Sequence, residues 1–245
     1  MDPKNTLRIS RKVGRFKGDR RVFWLLALFA IGIAGWGWLE RHPEHNPWAP
    51  LDLRDPIGSA TATKLAAMKS DVEQCRVTLE RSEVPFRALP GTGGEACERP
   101  DRTQLTAFPL SPDTPSVTCP VAAGLEIWRT KSVEPAAREI FGSELARIEH
   151  LGAYSCRRLY GRDDGPWSEH ATANAIDIAA FVLEDGRRIS LLGDWDGDED
   201  EQQFLREVRA GACGAFATVL SPDYNAAHAD HFHLDQQDRW SGVCR

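Results

Sequence analysis

Residues 22–39, Val-Phe-Trp-Leu-Leu-Ala-Leu-Phe-Ala-Ile-Gly-Ile-Ala-Gly-Trp-Gly-Trp-Leu, run for 18 positions without a charged or strongly polar side chain. As a helix rising about 1.5 Å per residue the run is ~27 Å long, enough to cross a bilayer core of roughly 30 Å. Eight basic residues precede it (Lys4, Arg8, Arg11, Lys12, Arg15, Lys17, Arg20, Arg21) against Asp2 and Asp19 alone. That one-sided flank predicts a cytoplasmic N-terminus of residues 1–21, a transmembrane anchor over 22–39 and an exported remainder. A cleaved signal peptide is the competing reading. It has a shorter apolar region and a small-x-small exit, whereas this run ends Gly35-Trp36-Gly37-Trp38-Leu39.

Charge and cysteines agree with two compartments. The chain carries −6, and with +6 on its first 21 residues the rest carries −12, a field that excludes nucleic acid as a partner. All six cysteines, Cys75, Cys97, Cys119, Cys156, Cys213 and Cys244, follow the anchor, and no Cys-x-x-Cys pair occurs. An even count on the exported side predicts three disulfides in an oxidising space. Sequence proximity suggests Cys75–Cys97, Cys119–Cys156 and Cys213–Cys244, the last stapling the C-terminal tail to a helix near residue 210.

Residues 40–62 read as a linker punctuated by Pro43, Pro47, Pro50, Pro56 and Gly58. Residues 63–117 read as an accessory segment. Leu65, Met68, Val72, Cys75 and Leu79 predict a helix over 63–83, and irregular loops with short strands follow. The main domain is expected over 118–245. Thr118 caps a helix opening Cys119-Pro120, Pro135 starts or kinks the next, and Gly142 stops it. Strands are expected over 146–154, 175–183, 188–192 and 231–235, with a helix over 199–216. The fold class is α+β: a small, mostly antiparallel sheet with flanking helices, carrying a zinc site.

The chemistry lies in the ordered set His170, Asp177, His228, His231 and His233. Asp177 sits inside Ala175-Ile176-Asp177-Ile178-Ala179-Ala180, and a carboxylate in so apolar a strand needs a compensating cation. Ala175, Asp177 and Ala179 share one strand face, with Ile176, Ile178 and Ala180 toward the core. On the last strand His231, His233 and Asp235 point one way, Phe232 and Leu234 the other. His170 folds over Asp177 from the preceding loop. Two neutral imidazoles and a carboxylate leave one zinc position open, the arrangement of catalytic rather than structural zinc. The alternating acids of 194–201 lack the glycine position and terminal glutamate of a calcium loop, and read as a solvated helix N-terminus.

The segment Ser168-x-His170-x-x-Ala173-x-Ala175-x-Asp177, with His231-x-His233, resembles the fold group of D-Ala-D-Ala carboxypeptidases, penicillin-insensitive murein endopeptidases and hedgehog signalling domains. The resemblance implies zinc ligation by His170, Asp177 and His233. The glutamate base of the carboxypeptidase branch is replaced by His228, and its usual glycine by Ala173. The His228-x-x-His231-x-His233 spacing is closer to the endopeptidase pattern, in which non-ligating histidines assist proton transfer. Residues from about 118 to 245 resemble the bacterial extensin-like C-terminal domain family, through Gly152–Arg157, Trp167–Ala171, Asn174–Asp177 and Pro222–Asp235. That family implies little chemistry of its own.

The expected function is that of an inner-membrane, single-pass protein with a periplasmic zinc metallopeptidase domain. It would act on peptidoglycan peptides by attack of a zinc-activated water on an amide, as a D,D-carboxypeptidase or a murein endopeptidase. His231 or His228 would move the proton, Arg157 would hold a substrate carboxylate or steady the oxyanion, and Ser168 would position His170 and border the substrate. Arg157 has a plainer alternative as a surface partner of Glu144 or Glu149. The competing function is a non-catalytic wall-associated binding or scaffold domain that keeps its zinc.

Overall fold

Helix α1 covers Lys17–Arg41 in the computed structural model, which describes residues 17–238 and 242–245. It is long and apolar enough to cross a membrane by length and composition, and Phe23, Trp24, Leu25 and Phe29 are all exposed along it. The basic residues Lys4 to Arg15 of the expected cytoplasmic end lie outside the described residues.

The proline-rich stretch that follows is pinned to the body. Leu51 and Leu53 are buried in the core. The Leu53 N–H donates to Ser82 Oγ at 2.8 Å, and Lys64 Nζ donates to the Pro43 carbonyl at 2.6 Å. A Cβ on Gly58 would lie 2.3 Å from the Glu44 carbonyl oxygen, so only glycine allows that approach. The single helix expected over 63–83 is two: α2 (Thr61–Ala67) and α3 (Val72–Arg81). Between them Asp71 accepts the Gln74 N–H through its side chain at 2.9 Å, so a cap inside the periodic run starts a new helix.

Strands β1 (Phe86–Leu89) and β2 (Arg102–Leu105) pair antiparallel as a separate ribbon, and β3 (Leu110–Ser111) joins the main sheet. Helix α4 (Cys119–Trp128) begins where expected, but the Thr118 hydroxyl donates to Asn174 Oδ1 and does not cap it. The cap comes from Asp101, whose buried carboxylate accepts the Cys119 N–H, the Thr103 hydroxyl at 2.9 Å and an Arg76 guanidinium N–H at 3.1 Å. Charge, helix dipole and three donors meet in one side chain. Asp101→Ala is therefore expected to cost about 2–3 kcal/mol, by orphaning the helix donor and the half-buried Arg76 together. Denaturant unfolding of the purified chain measures this; a loss below about 0.5 kcal/mol would contradict it.

A π-helical turn at Arg129–Val133 leads into α5 (Glu134–Phe141), near whose start Pro135 sits, and Gly142 ends it in the left-handed conformation (φ 64°). Then come β4 (Leu145–Gly152), β5 (Ala175–Leu183), β6 (Arg188–Ser190) and the short α6 (Leu191–Asp194). Helix α7 (Glu199–Ala215) opens with a capping box between Asp198 and Glu201, so the acidic run supplies a helix start. Strands β7 (Thr218–Leu220), β8 (Phe232–Asp235) and β9 (Val243–Cys244) complete the sheet.

The order is β3-β4-β5-β8-β7-β9, with β6 pairing β5 as well. The β3–β4 and β7–β9 pairs are parallel and the rest antiparallel. The expected small, mostly antiparallel sheet is thus corrected to a mixed sheet of seven strands. Both parallel edges are two-residue strands, too short to show alternation. Facing also departs from expectation. Ala179 is an extra residue in β5, between the pairs Glu149↔Ala180 and His150↔Ile178. This bulge shifts the alternation: Phe181 and Leu183 join Ile176 and Ile178 in the core, and Ala180 is buried outside it. Helices α4, α5 and α7 close over that core: the rings of Trp128 and Phe204 meet Phe181, and Phe141 packs against Phe204.

The disulfides are Cys75–Cys119, Cys97–Cys156 and Cys213–Cys244. The third is as expected and ties β9 to α7. The other two correct the proximity pairing. Cys75 lies on α3, which packs on α4 beside Cys119, and the turn at Cys97 reaches the loop after β4. Both bridges tie residues 63–117 to the rest.

Candidate metal centre

Asp177 and His233 are direct partners in the β5–β8 register, so strand pairing alone brings their side chains together. The third member comes from the turn Glu169–Thr172, where Ser168 Oγ accepts the His170 N–H at 3.3 Å. Ala173 then takes a left-handed conformation (φ 57°) to turn the chain into β5, which accounts for a glycine preference at such a position.

The three side chains converge. His170 Nε2 lies 3.1 Å from Asp177 Oδ1, His233 Nδ1 lies 3.0 Å from the same oxygen, and the two nitrogens are 3.1 Å apart. Their outward atoms fix the tautomers. His170 Nδ1 is 3.1 Å from the Ala153 carbonyl, which can only accept, so Nδ1 carries the proton. His233 Nε2 is 3.0 Å from Asp235 Oδ2, so it too carries its proton outward. Both inward nitrogens then present lone pairs, beside a carboxylate oxygen. Three acceptors without a donor between them make a set able to hold a cation. Zinc ligands about 2.0–2.1 Å from the ion at tetrahedral angles stand roughly 3.3 Å apart, close to the triangle's sides, and the two-nitrogen, one-oxygen set suits zinc. Among the described residues this is the one His/Asp group with ligand atoms mutually within 4.8 Å.

Without a metal, protons take the cation's place. Burial works against a charge on either partner. Hydrogen bonds from His170 and His233 nevertheless hold the Asp177 carboxyl well below the usual range. Likewise Asp177 and Asp235 push His233 up to about 9 against its burial. His233 binds its proton more tightly folded than unfolded, so this stability is complete below its ordinary 6.5 and lost as pH rises through about 9. Asp177, being depressed, contributes above the ordinary carboxylate range and loses its share only as pH falls toward its own lower value. Metal-stripped protein is therefore expected to lose thermal stability between pH 6.5 and 9, and zinc-loaded protein is not. Calorimetry of both forms across that window tests this; parallel curves would contradict it.

The triangle lines a cavity of about 510 Å³ together with Arg157, Ser168, His228 and His231. Every residue singled out from the sequence therefore meets here. His231 Nε2 is 3.6 Å from Asp177 Oδ1, and its Nδ1 donates to Asp230 Oδ1 at 2.8 Å. His228 Nδ1 is held by Asn225 Oδ1 at 2.8 Å. Burial, with His231 and His233 nearby, pushes His228 down to about 4, so it is neutral at pH 7. Arg157 has no ion-pair partner among the described residues, and its alternative partners are engaged elsewhere: Glu144 with Arg138, Glu149 with Arg147 and Arg188. Sequence reasoning missed Asp230, Asp235 and the Ala153 carbonyl as orienting groups. Asp235 was findable, since it lies two residues beyond His233 and so on the same strand face.

No curated protein and no solved structure matches the chain at a significant level. Residues 73–245 match the family described as extensin-like protein C-terminus, a span that takes in all but the first residue of α3 and the β1–β2 ribbon as well as His170, Asp177 and His233. With more than half of its length matched, the chain belongs to the extensin-like C-terminal family.

Proposed function

We propose that this chain is a zinc-dependent peptidase, anchored in the inner membrane by α1 with its N-terminus cytoplasmic and its catalytic domain in the periplasm. On this reading it hydrolyses amide bonds of peptidoglycan peptides. The observation that carries the reading is the triangle of lone-pair atoms lining the cavity, with two further histidines beside it. The one-sided basic flank of α1 and three disulfides after it support the location. The likeness of the His170–Asp177 segment to the carboxypeptidase and endopeptidase motif supports the substrate class.

Bound at His170, Asp177 and His233, zinc supplies Lewis-acid polarisation of the amide carbonyl and acidifies water toward neutral pH. The chain's own groups move the protons. Asp230 holds the His231 ring by its Nδ1–H, which leaves Nε2 free to take a proton from the attacking water and pass it to the departing amine. His228, neutral and held by Asn225, is a second acceptor. Arg157 offers an uncommitted guanidinium to a substrate carboxylate. Asp230→Asn is expected to lower kcat by roughly tenfold to a hundredfold by loosening the ring, with zinc content unchanged. An unaltered kcat would remove His231 from the mechanism.

The replacement of a carboxylate base by His228 favours a second reading, a non-catalytic wall-binding domain. Purified full-length chain is incubated with muropeptides, with and without chelator, and the products are read by mass spectrometry. Cleavage that chelator abolishes and zinc restores is the expected result. One equivalent of bound zinc with no product would establish the second reading.

A further inference from the structure

A second cavity of about 350 Å³ adjoins the metal cavity, and the two share Leu159, Tyr160, Ser168, Leu220 and His233 in their linings. Each is large enough for a small ligand, and both reach His233 of the triangle. We infer that the second cavity is a binding subsite for peptide beyond the reacting amide. The substrate is then held on both sides of the bond, and an internal or cross-link amide is cut, not a C-terminal residue released. This inference rests on the peptidase reading above.

The shared lining is a built feature. Leu159, Tyr160 and Ser168 belong to the loop from Arg157 to Ser168, which is closed by the Ser168 N–H donating to the Arg157 carbonyl at 3.1 Å and the Leu159 N–H donating to the Pro166 carbonyl at 3.0 Å. The Cys97–Cys156 bridge fastens its root. At its tip Tyr160 is held in a left-handed conformation (φ 57°, ψ 22°), unfavourable for a residue with a side chain, and is 54% exposed beside both cavities. Asn225 Nδ2 donates to its hydroxyl at 3.4 Å. Strain kept at a site rim is a mark of use.

The lining indicates what binds. Trp167 and Tyr224 both line the second cavity and are partly exposed. Arg158 stacks 4.4 Å from the Trp167 ring centre and steadies it. Arg157 is the one arginine lining the first cavity, whereas Arg245 borders the second beside two acids, Glu169 and Asp235. The matching substrate is a peptide whose carboxylate meets Arg157 in the first cavity and whose continuing chain lies along Trp167 and Tyr224 in the second.

The test uses full-length, zinc-loaded protein in detergent and two probes, a single peptidoglycan stem peptide and its amide-cross-linked dimer. Calorimetry gives affinity and mass spectrometry gives products. The dimer is expected to bind about tenfold more tightly or better, and to be cut into its two halves. In the double variant Trp167→Ala with Tyr224→Ala, dimer affinity falls to that of the single peptide, and one equivalent of zinc reports an intact fold. Equal affinity for the two probes overturns the inference, as does a double variant that keeps the dimer's advantage, or release of single C-terminal residues only. A dimer bound with the full advantage yet left uncut upholds the subsite and overturns the peptidase reading.

Discussion

Asp177→Asn is expected to lower zinc affinity by roughly a thousandfold or more, and to abolish any metal-dependent hydrolysis. Asp177 Oδ1 is the one oxygen of the triangle and the atom both inward imidazole nitrogens face. With an amide there, the donor set loses its negative charge and, with it, the charge-assisted contacts that hold both rings. The metal-free protein suffers too. His233 sits between Asp177 and Asp235, and removal of one partner of a buried pair costs about 3–5 kcal/mol, because the remaining charge stays desolvated. Asp177→Ala, which also vacates the space, is expected at the upper end of that range. Metal analysis of the dialysed variant and thermal melts of both metal-free forms read the two effects separately. A variant that keeps one equivalent of zinc would show that the ion, if bound, sits elsewhere.

Trp128→Ala is expected to destabilise the domain by about 3–5 kcal/mol, lowering the thermal midpoint by roughly 2–4 °C for each kcal/mol. Trp128 is fully buried, and its indole N–H donates to the Val208 carbonyl of α7 at 2.7 Å. Its ring meets Phe181 edge-on at 5.7 Å and Phe216 at 6.4 Å. One side chain therefore ties α4 to α7 and to the strand that carries Asp177. Truncation leaves a cavity under β5 that cannot close without moving Phe181. Trp128→Phe keeps most of the packing and is expected to lose about 1–2 kcal/mol, chiefly the hydrogen bond. Urea denaturation with an unchanged slope would attribute the loss to the native state. A cost below about 1 kcal/mol for Trp128→Ala would mean that the core repacks freely.

The contrast between what the sequence reveals here and what it conceals has physical reasons. The convergence of His170, Asp177 and His233 was legible because strand alternation puts Asp177 and His233 on one face, and because likeness to a known motif singled out His233 rather than His231. Helix α7 and Gly142 were legible because their capping signals are local. The bulge at Ala179 was not, since an extra residue among small apolar ones leaves no trace in hydropathy. The break at Asp71 was hidden by an apolar spacing that runs straight through it. The Cys75–Cys119 and Cys97–Cys156 bridges depend on how α3 meets α4, a long-range fact that spacing cannot contain. The cap of α4 by Asp101 is of the same kind, reaching its helix across a turn of tertiary structure. The stretch from Arg157 to Ser168 carries no periodicity to read, and only its closing hydrogen bonds show it as a formed loop beside two cavities.

The most direct test of the account is the titration of metal-stripped, full-length protein with zinc in a calorimeter at pH 7, with proton release followed in buffers of different ionisation enthalpy. Cation binding at His170, Asp177 and His233 must expel the proton that His233 holds in the metal-free state. The account predicts one tight site per chain with release of close to one proton, absent in Asp177→Asn. No saturable binding, or binding undiminished in that variant, would contradict it.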